Sequence, residues 1–254
     1  MQAITNRFIL RCLSLALLAT LGATVLVAEQ KTKSANAKVH VHYIAADDVT
    51  WDYVPGGIDG ITGKPFKPVG LFRDGPGPGA KPVERPVSTS YVKTVYREYT
   101  DNTFRTLKPR AAEWEHLGFL GPLIRAEVGD IIRVVFRNNG NRPYSMHPHG
   151  VFYRKDSEGA PYDDGTSGAD KADDAVPPGG THEYVWQVPE SAGPAAGDVN
   201  SVPWMYHSHV DEYRDPNTGL LGPIIITGRG QTQPDGSPKG VDREFILWFA
   251  QIHE

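Results

Sequence analysis

Glycine and proline interrupt this chain so often that its folded part has little room for long helices. There are 27 glycines and 21 prolines among 254 residues, and the runs between them are rich in β-branched and aromatic side chains. Runs of that kind, bounded by turn residues, read as short strands. They cover Val39–Ile44, Tyr91–Tyr99, Ile131–Arg137, Glu183–Val188, Pro223–Thr227 and Glu244–Phe249. No stretch carries a long helical period capped at both ends. Strands at loose spacing, separated by Gly and Pro, build a sandwich or a barrel, so the expected fold is all-β.

The first residues are expected to be removed before folding. Arg7 and Arg11 precede an uncharged apolar run from Leu13 to Val27, the layout of a secretory signal peptide rather than of a membrane span. Residues 1–28 form that leader, with cleavage as late as residue 37. The mature protein is then exported, periplasmic or extracellular, with no membrane span. Cys12 is the only cysteine, so the mature chain has none and carries no disulfide, in a compartment that permits them. The net charge of −4 and the lack of a basic run give no support to nucleic-acid binding.

Residues 39–230 read as one domain, with a long Gly/Pro-rich surface loop over 55–90 and a smaller insert at Ser191–Gly197. Gln231–Gly240 is polar and turn-rich, as linkers are. Residues 231–254 therefore read as a linker and the first strand of a truncated or partner-completed second domain.

Nine histidines are present, and four fall in two His-X-His pairs, His147-Pro148-His149 and His207-Ser208-His209. In an extended chain residues i and i+2 face one side, so each pair presents two imidazoles together, and adjacent strands would gather four. Imidazole suits copper, zinc, iron and nickel, with affinity peaking at copper(II). His40 and His42 share the spacing but read as alternating strand residues. His116, His182 and His253 lack a partner at ligand spacing, and Met146 and Met205 read as packing residues.

Further motifs carry a resemblance. They include His42-Tyr43-Ile44 with Thr50-Trp51-Asp52-Tyr53, Tyr99-Thr100-Asp101 with Thr103-Phe104-Arg105, and Leu117-Gly118-Phe119-Leu120-Gly121-Pro122. Ala126-Glu127-Val128-Gly129-Asp130, Arg142 through Gly150, Tyr206 through His209 and Gly219-Leu220-Leu221-Gly222-Pro223 complete the set. Over about Val39 to Gln251 the chain resembles the first domain of the ceruloplasmin-like multicopper oxidases, and also the A domains of coagulation factors V and VIII. The resemblance implies a cupredoxin-like Greek-key β-sandwich. It also implies that His147, His149, His207 and His209 supply half the ligands of a trinuclear copper cluster. His147 would serve the type 2 copper and the other three the type 3 pair. The remaining ligands would come from a cupredoxin domain or chain bearing a His-Cys-His motif, or from a homo-oligomer. A type 1 site needs a cysteine thiolate, so the mature chain makes none. Ser201 and Thr227 stand where the family's domain has a disulfide.

Asp170, Asp173 and Asp174 lie on a turn-rich segment after Lys155. Closely spaced carboxylates suit calcium, and the resemblance implies a calcium site from those three side chains and the Lys155 main-chain oxygen. Asp211, Asp215 and Tyr206 are candidates to support the copper ligands. The implied function is a copper-binding module of a multicopper oxidase, oxidising a small substrate or metal ion and reducing O2 once a partner completes it. Alone it would have weak or no activity. An exported copper-storage or delivery protein, and a structural cupredoxin domain, remain alternatives.

Overall fold

A computed structural model describes residues 37–254; the expected leader lies outside the described residues. Eleven strands follow in order: β1 (Val39–Asp52), β2 (Val69–Arg73), β3 (Pro82–Pro86), β4 (Ser90–Tyr99), β5 (Ile124–Glu127), β6 (Ile131–Asn138), β7 (His147–Pro148), β8 (Phe152–Tyr153), β9 (Thr181–Gln187), β10 (Ser201–His207) and β11 (Leu221–Thr227). One helical turn, α1 (Arg214–Thr218), and four short 3-10 turns complete the described elements.

Two sheets form an all-β cupredoxin-like sandwich. One has the order β4-β1-β6-β9-β8 and the other β5-β11-β10-β7, so the chain crosses between sheets after β4, β5, β6, β7 and β9. Parallel pairing of β1 with β6 and of β5 with β11 requires such crossovers. The sequence alternation of β6 and β9 aims Ile132, Val134, Phe136, Tyr184 and Trp186 inward, all fully buried. They meet Tyr206, Ile224 and Ile226 of the facing sheet in one core.

β11 is buried at all seven positions, and a strand apolar on both faces needs cover on both. Ile224 and Ile226 face the core. On the other side Leu221, Pro223 and Ile225, with Trp204 and Met205, line an apolar recess of about 360 Å³ closed by residues 244–248. Arg125 of β5 fastens that segment by donating to both carboxylate oxygens of Glu244, at 3.0 and 2.7 Å.

Two expectations change here. The segment Glu244–Phe249 is not a strand, and residues 231–254 hold only an isolated bridge between Thr232 and Pro238. Its alternation survives, with Phe245, Leu247 and Phe249 exposed and Ile246 half-buried. It lacks the neighbouring ladder that defines a strand, because it crosses a sheet face instead of an edge. The Gly/Pro-rich stretch 55–90 is not wholly loop: β2 and β3 pair within it as a hairpin. Its apolar positions are diluted by Gly and Pro, so no alternating run announces it.

Candidate metal centre

β7 and β10 are antiparallel neighbours with His147 directly opposite His207. Cross-strand partners share one face, so this register brings the two motifs together. The His149 N–H donates to Met205 O at 2.8 Å, and the His209 N–H to the Ser145 hydroxyl at 3.1 Å. Ring centroids of His147 lie 5.2, 5.6 and 5.0 Å from those of His149, His207 and His209. His207 lies 5.2 Å from His149 and 5.4 Å from His209. Among the described residues, no three such side chains close on a single point as a complete metal site would. The four imidazoles are gathered, with ring centroids 5.0–5.6 Å apart, but do not enclose a single point.

The hydrogen bonds select which ring nitrogens are free. His147 Nδ1 sits 2.6 Å from Glu158 O, and His207 Nδ1 is 3.0 Å from Ser208 O. A carbonyl only accepts, so both Nδ1 atoms carry the proton and both Nε2 atoms hold a lone pair, the usual arrangement of a metal-binding histidine. His149 Nε2 faces His207 Nε2 at 3.0 Å. Burial lowers the pKa of His147, His149 and His207, with neighbouring imidazoles adding to it; His207 falls to about 4. These three rings are therefore neutral near pH 7, as metal binding requires. This donor set fits copper.

Buried polar groups hold the two motifs in place. Ser208 Oγ donates to Asp215 Oδ2 at 2.6 Å and accepts the Ser145 N–H at 3.2 Å. Ser145 Oγ donates to Gly159 O at 2.6 Å. Asp215 is thus the supporting carboxylate, whereas Asp211 lies near Arg142 at 3.8 Å. Tyr206 points to the opposite face and donates to Pro122 O at 2.7 Å. Two glycines permit close approach: with φ of +79° at Gly150 and +68° at Gly159, an added Cβ would lie 2.1 Å from Trp204 and 2.3 Å from Met146 O.

Of the remaining histidines, His116 and His253 are exposed, and the other three are held by local partners. His40 pairs with Asp130 at 2.7 Å, His42 with Glu98 at 2.9 Å, and His182 with Asp156 O at 2.8 Å. Met146 is core. Sequence reasoning missed Glu158, whose role is a backbone oxygen invisible to residue type. It also missed Tyr162 and Glu212, which reach His209 Nε2 at 3.1 and 2.9 Å. The i,i+3 spacing of Glu212 from His209 was the signal available for it.

The 3-10 turns Lys155–Ser157 and Gly168–Lys171 lie against each other. Asp173 and Asp174 are buried, while Asp170 is exposed. Gly159 N–H donates to Asp173 Oδ2 at 2.7 Å, but Asp173 Oδ1 and both Asp174 carboxylate oxygens have no hydrogen-bond partner. Lys171 Nζ lies 3.1 Å from Asp174 Oδ2, within ion-pair range yet not aligned as a hydrogen bond. Burial raises the pKa of Asp173, and the adjacent Asp174 adds to it. The Lys155 ammonium is engaged by Glu158 and Asp164.

The "Multicopper oxidase" family model matches residues 115–231. The chain is 46% identical over 215 residues to mouse hephaestin, covering 84% of this chain and 18% of the relative. It is 46% identical over 217 residues to the human "Ferroxidase HEPHL1", again covering 84% and 18%. It thus spans about a fifth of the length of these relatives. A multi-copper oxidase structure from Pseudomonas thermotolerans aligns with TM-score 0.44 and 18% identity, over 78% of this chain and 31% of that one.

Proposed function

This chain carries a cupredoxin domain of the ceruloplasmin-like multicopper oxidases, and on that premise we propose that it is an exported copper-binding module. It supplies half the ligands of a trinuclear site through His147, His149, His207 and His209. The observation supporting this most is the convergence of four imidazoles across the β7–β10 register, with Nδ1 of His147 and His207 tied to carbonyls. Bound copper would supply electron transfer from a small substrate or metal ion to O2. The chain's own groups orient the imidazoles, and burial keeps His147, His149 and His207 unprotonated. The site is open, so a His-Cys-His-bearing domain or chain, or a second copy, completes it. Storage or delivery of copper needs the same four histidines and no such partner.

Copper stoichiometry and visible spectroscopy of the loaded mature chain test the reading. Copper is expected to bind without the intense thiolate-to-copper band, because Cys12 lies in the leader. A chain that takes up no copper, or one that turns intensely blue, would overturn it.

We also propose that Asp173 and Asp174, with Asp170 and the Lys155 main-chain oxygen, hold calcium. Two buried carboxylate oxygens without partners, Asp173 Oδ1 and Asp174 Oδ1, support this, since buried anions are costly unless paired or bound to metal. At 100 times its dissociation constant, calcium is expected to stabilise the wild type by about 2.7 kcal/mol. The Asp173→Ala/Asp174→Ala variant should gain far less. Equal thermal shifts in both proteins would rule the site out.

A further inference from the structure

The four imidazoles bring no negative charge to a divalent ion, yet one carboxylate stands directly at their rim. Glu212 Oε1 lies 2.9 Å from His209 Nε2, three residues along the turn that follows β10. Tyr162 Oη approaches the same nitrogen at 3.1 Å, and its ring packs on the imidazole with centroids 5.1 Å apart. Glu212 Oε1 and His209 Nε2 approach one another without the alignment of a hydrogen bond, so a nitrogen and an oxygen donor stand side by side at the rim. Glu212 thus stands against the outer imidazole of the second His-X-His motif. Its side chain is 62% exposed, and an exposed ion pair of this kind adds little to stability. Fold maintenance does not account for its position.

We propose that Glu212 and His209 form a nitrogen–oxygen pair that takes a copper(II) ion, with Glu212 supplying the anionic ligand that the imidazoles lack. The inference rests on the copper reading above and deepens it. Mixed nitrogen and oxygen donors are a set that copper(II) accepts. A carboxylate from within the chain also lets a partial histidine site hold its ion before a partner arrives. Tyr162 keeps the imidazole turned toward Glu212 and is a positioning residue.

The test is copper(II) titration against a competing chelator, with electron paramagnetic resonance of the loaded protein. The full chain is compared as wild type, Glu212→Gln and Glu212→Asp. Glu212→Gln keeps the size of the side chain at an exposed position, so the fold should be retained, as circular dichroism can verify. The expected result is a roughly 10–100-fold weaker affinity for at least one copper, the scale on which metal-site partners act. A changed copper hyperfine pattern should accompany it, with partial recovery in Glu212→Asp. Wild type and Glu212→Gln binding copper equally, with identical spectra, would overturn the role of Glu212 while leaving the four-histidine site standing. A wild type that binds no copper would overturn both.

Discussion

Replacing His147 and His207 together with alanine is expected to abolish copper binding while the fold remains. The two residues are direct cross-strand partners, so the substitution removes one ligand from each motif and the shared centre of the cluster. His147 has ring contacts with all three other imidazoles, and His207 supplies the Nε2 that faces His149 at 3.0 Å. What remains, His149 and His209, are two rings tied to separate segments. The cost to the fold is small by comparison. The hydrogen bonds lost are those of two Nδ1 atoms to the carbonyls of Glu158 and Ser208, at about 1 kcal/mol each. Neither ring belongs to the hydrophobic core. Metal analysis beside circular dichroism checks this, and a copper content equal to wild type in the double variant would defeat the proposal.

Trp186→Ala is expected to give the largest loss of stability, about 3–5 kcal/mol. The indole is fully buried between the sheets, and its Nε1–H donates to Ser157 O at 3.0 Å. Removing it leaves both a cavity and a buried carbonyl without that donor. Trp186→Phe should recover part of the loss, because it restores ring volume but not the hydrogen bond. The damage should also reach the metal site. Ser157 and Glu158 are successive residues, and Glu158 O holds His147 Nδ1 while Gly159 N–H holds Asp173 Oδ2. One turn, 155–159, thus joins the core to both candidate metal sites, so copper affinity should weaken in the alanine variant. Denaturant melts settle the first point, and a loss below about 1 kcal/mol would contradict the core assignment.

Much of the sandwich was legible because its strands advertise themselves locally. β6 alternates Ile132, Val134 and Phe136 with outward Ile131, Arg133 and Arg137, and period two is a property of the strand alone. The two His-X-His motifs were legible for the same reason, as residue type and spacing suffice to propose a ligand pair. The hairpin β2–β3 was not, because Gly70 and the flanking prolines interrupt its pattern. The tail 244–249 misled in the opposite direction. Its alternation is real, but alternation describes which side chains face a surface, and a sheet face accepts it as readily as a ladder does.

The sequence by itself determined five of the eleven described strands, β1, β4, β6, β9 and β11, the donor chemistry of two His-X-His pairs, and that Cys12 is the only cysteine. Tertiary structure alone decided that His147 lies opposite His207, and that Ser201 and Thr227 are ladder partners. It also decided that Asp173 and Asp174 are buried with oxygens unpaired, and that Glu212 stands at the imidazole rim. The physical reason is register. A strand's side-chain pattern follows from its own backbone geometry, but which residue faces which across 60 positions follows from the packing of both sheets. A slip of one residue would reverse every face. Burial of Ile224, Ile226 and Tyr206 in the core leaves their strands only one such register, and the four imidazoles take their positions from it.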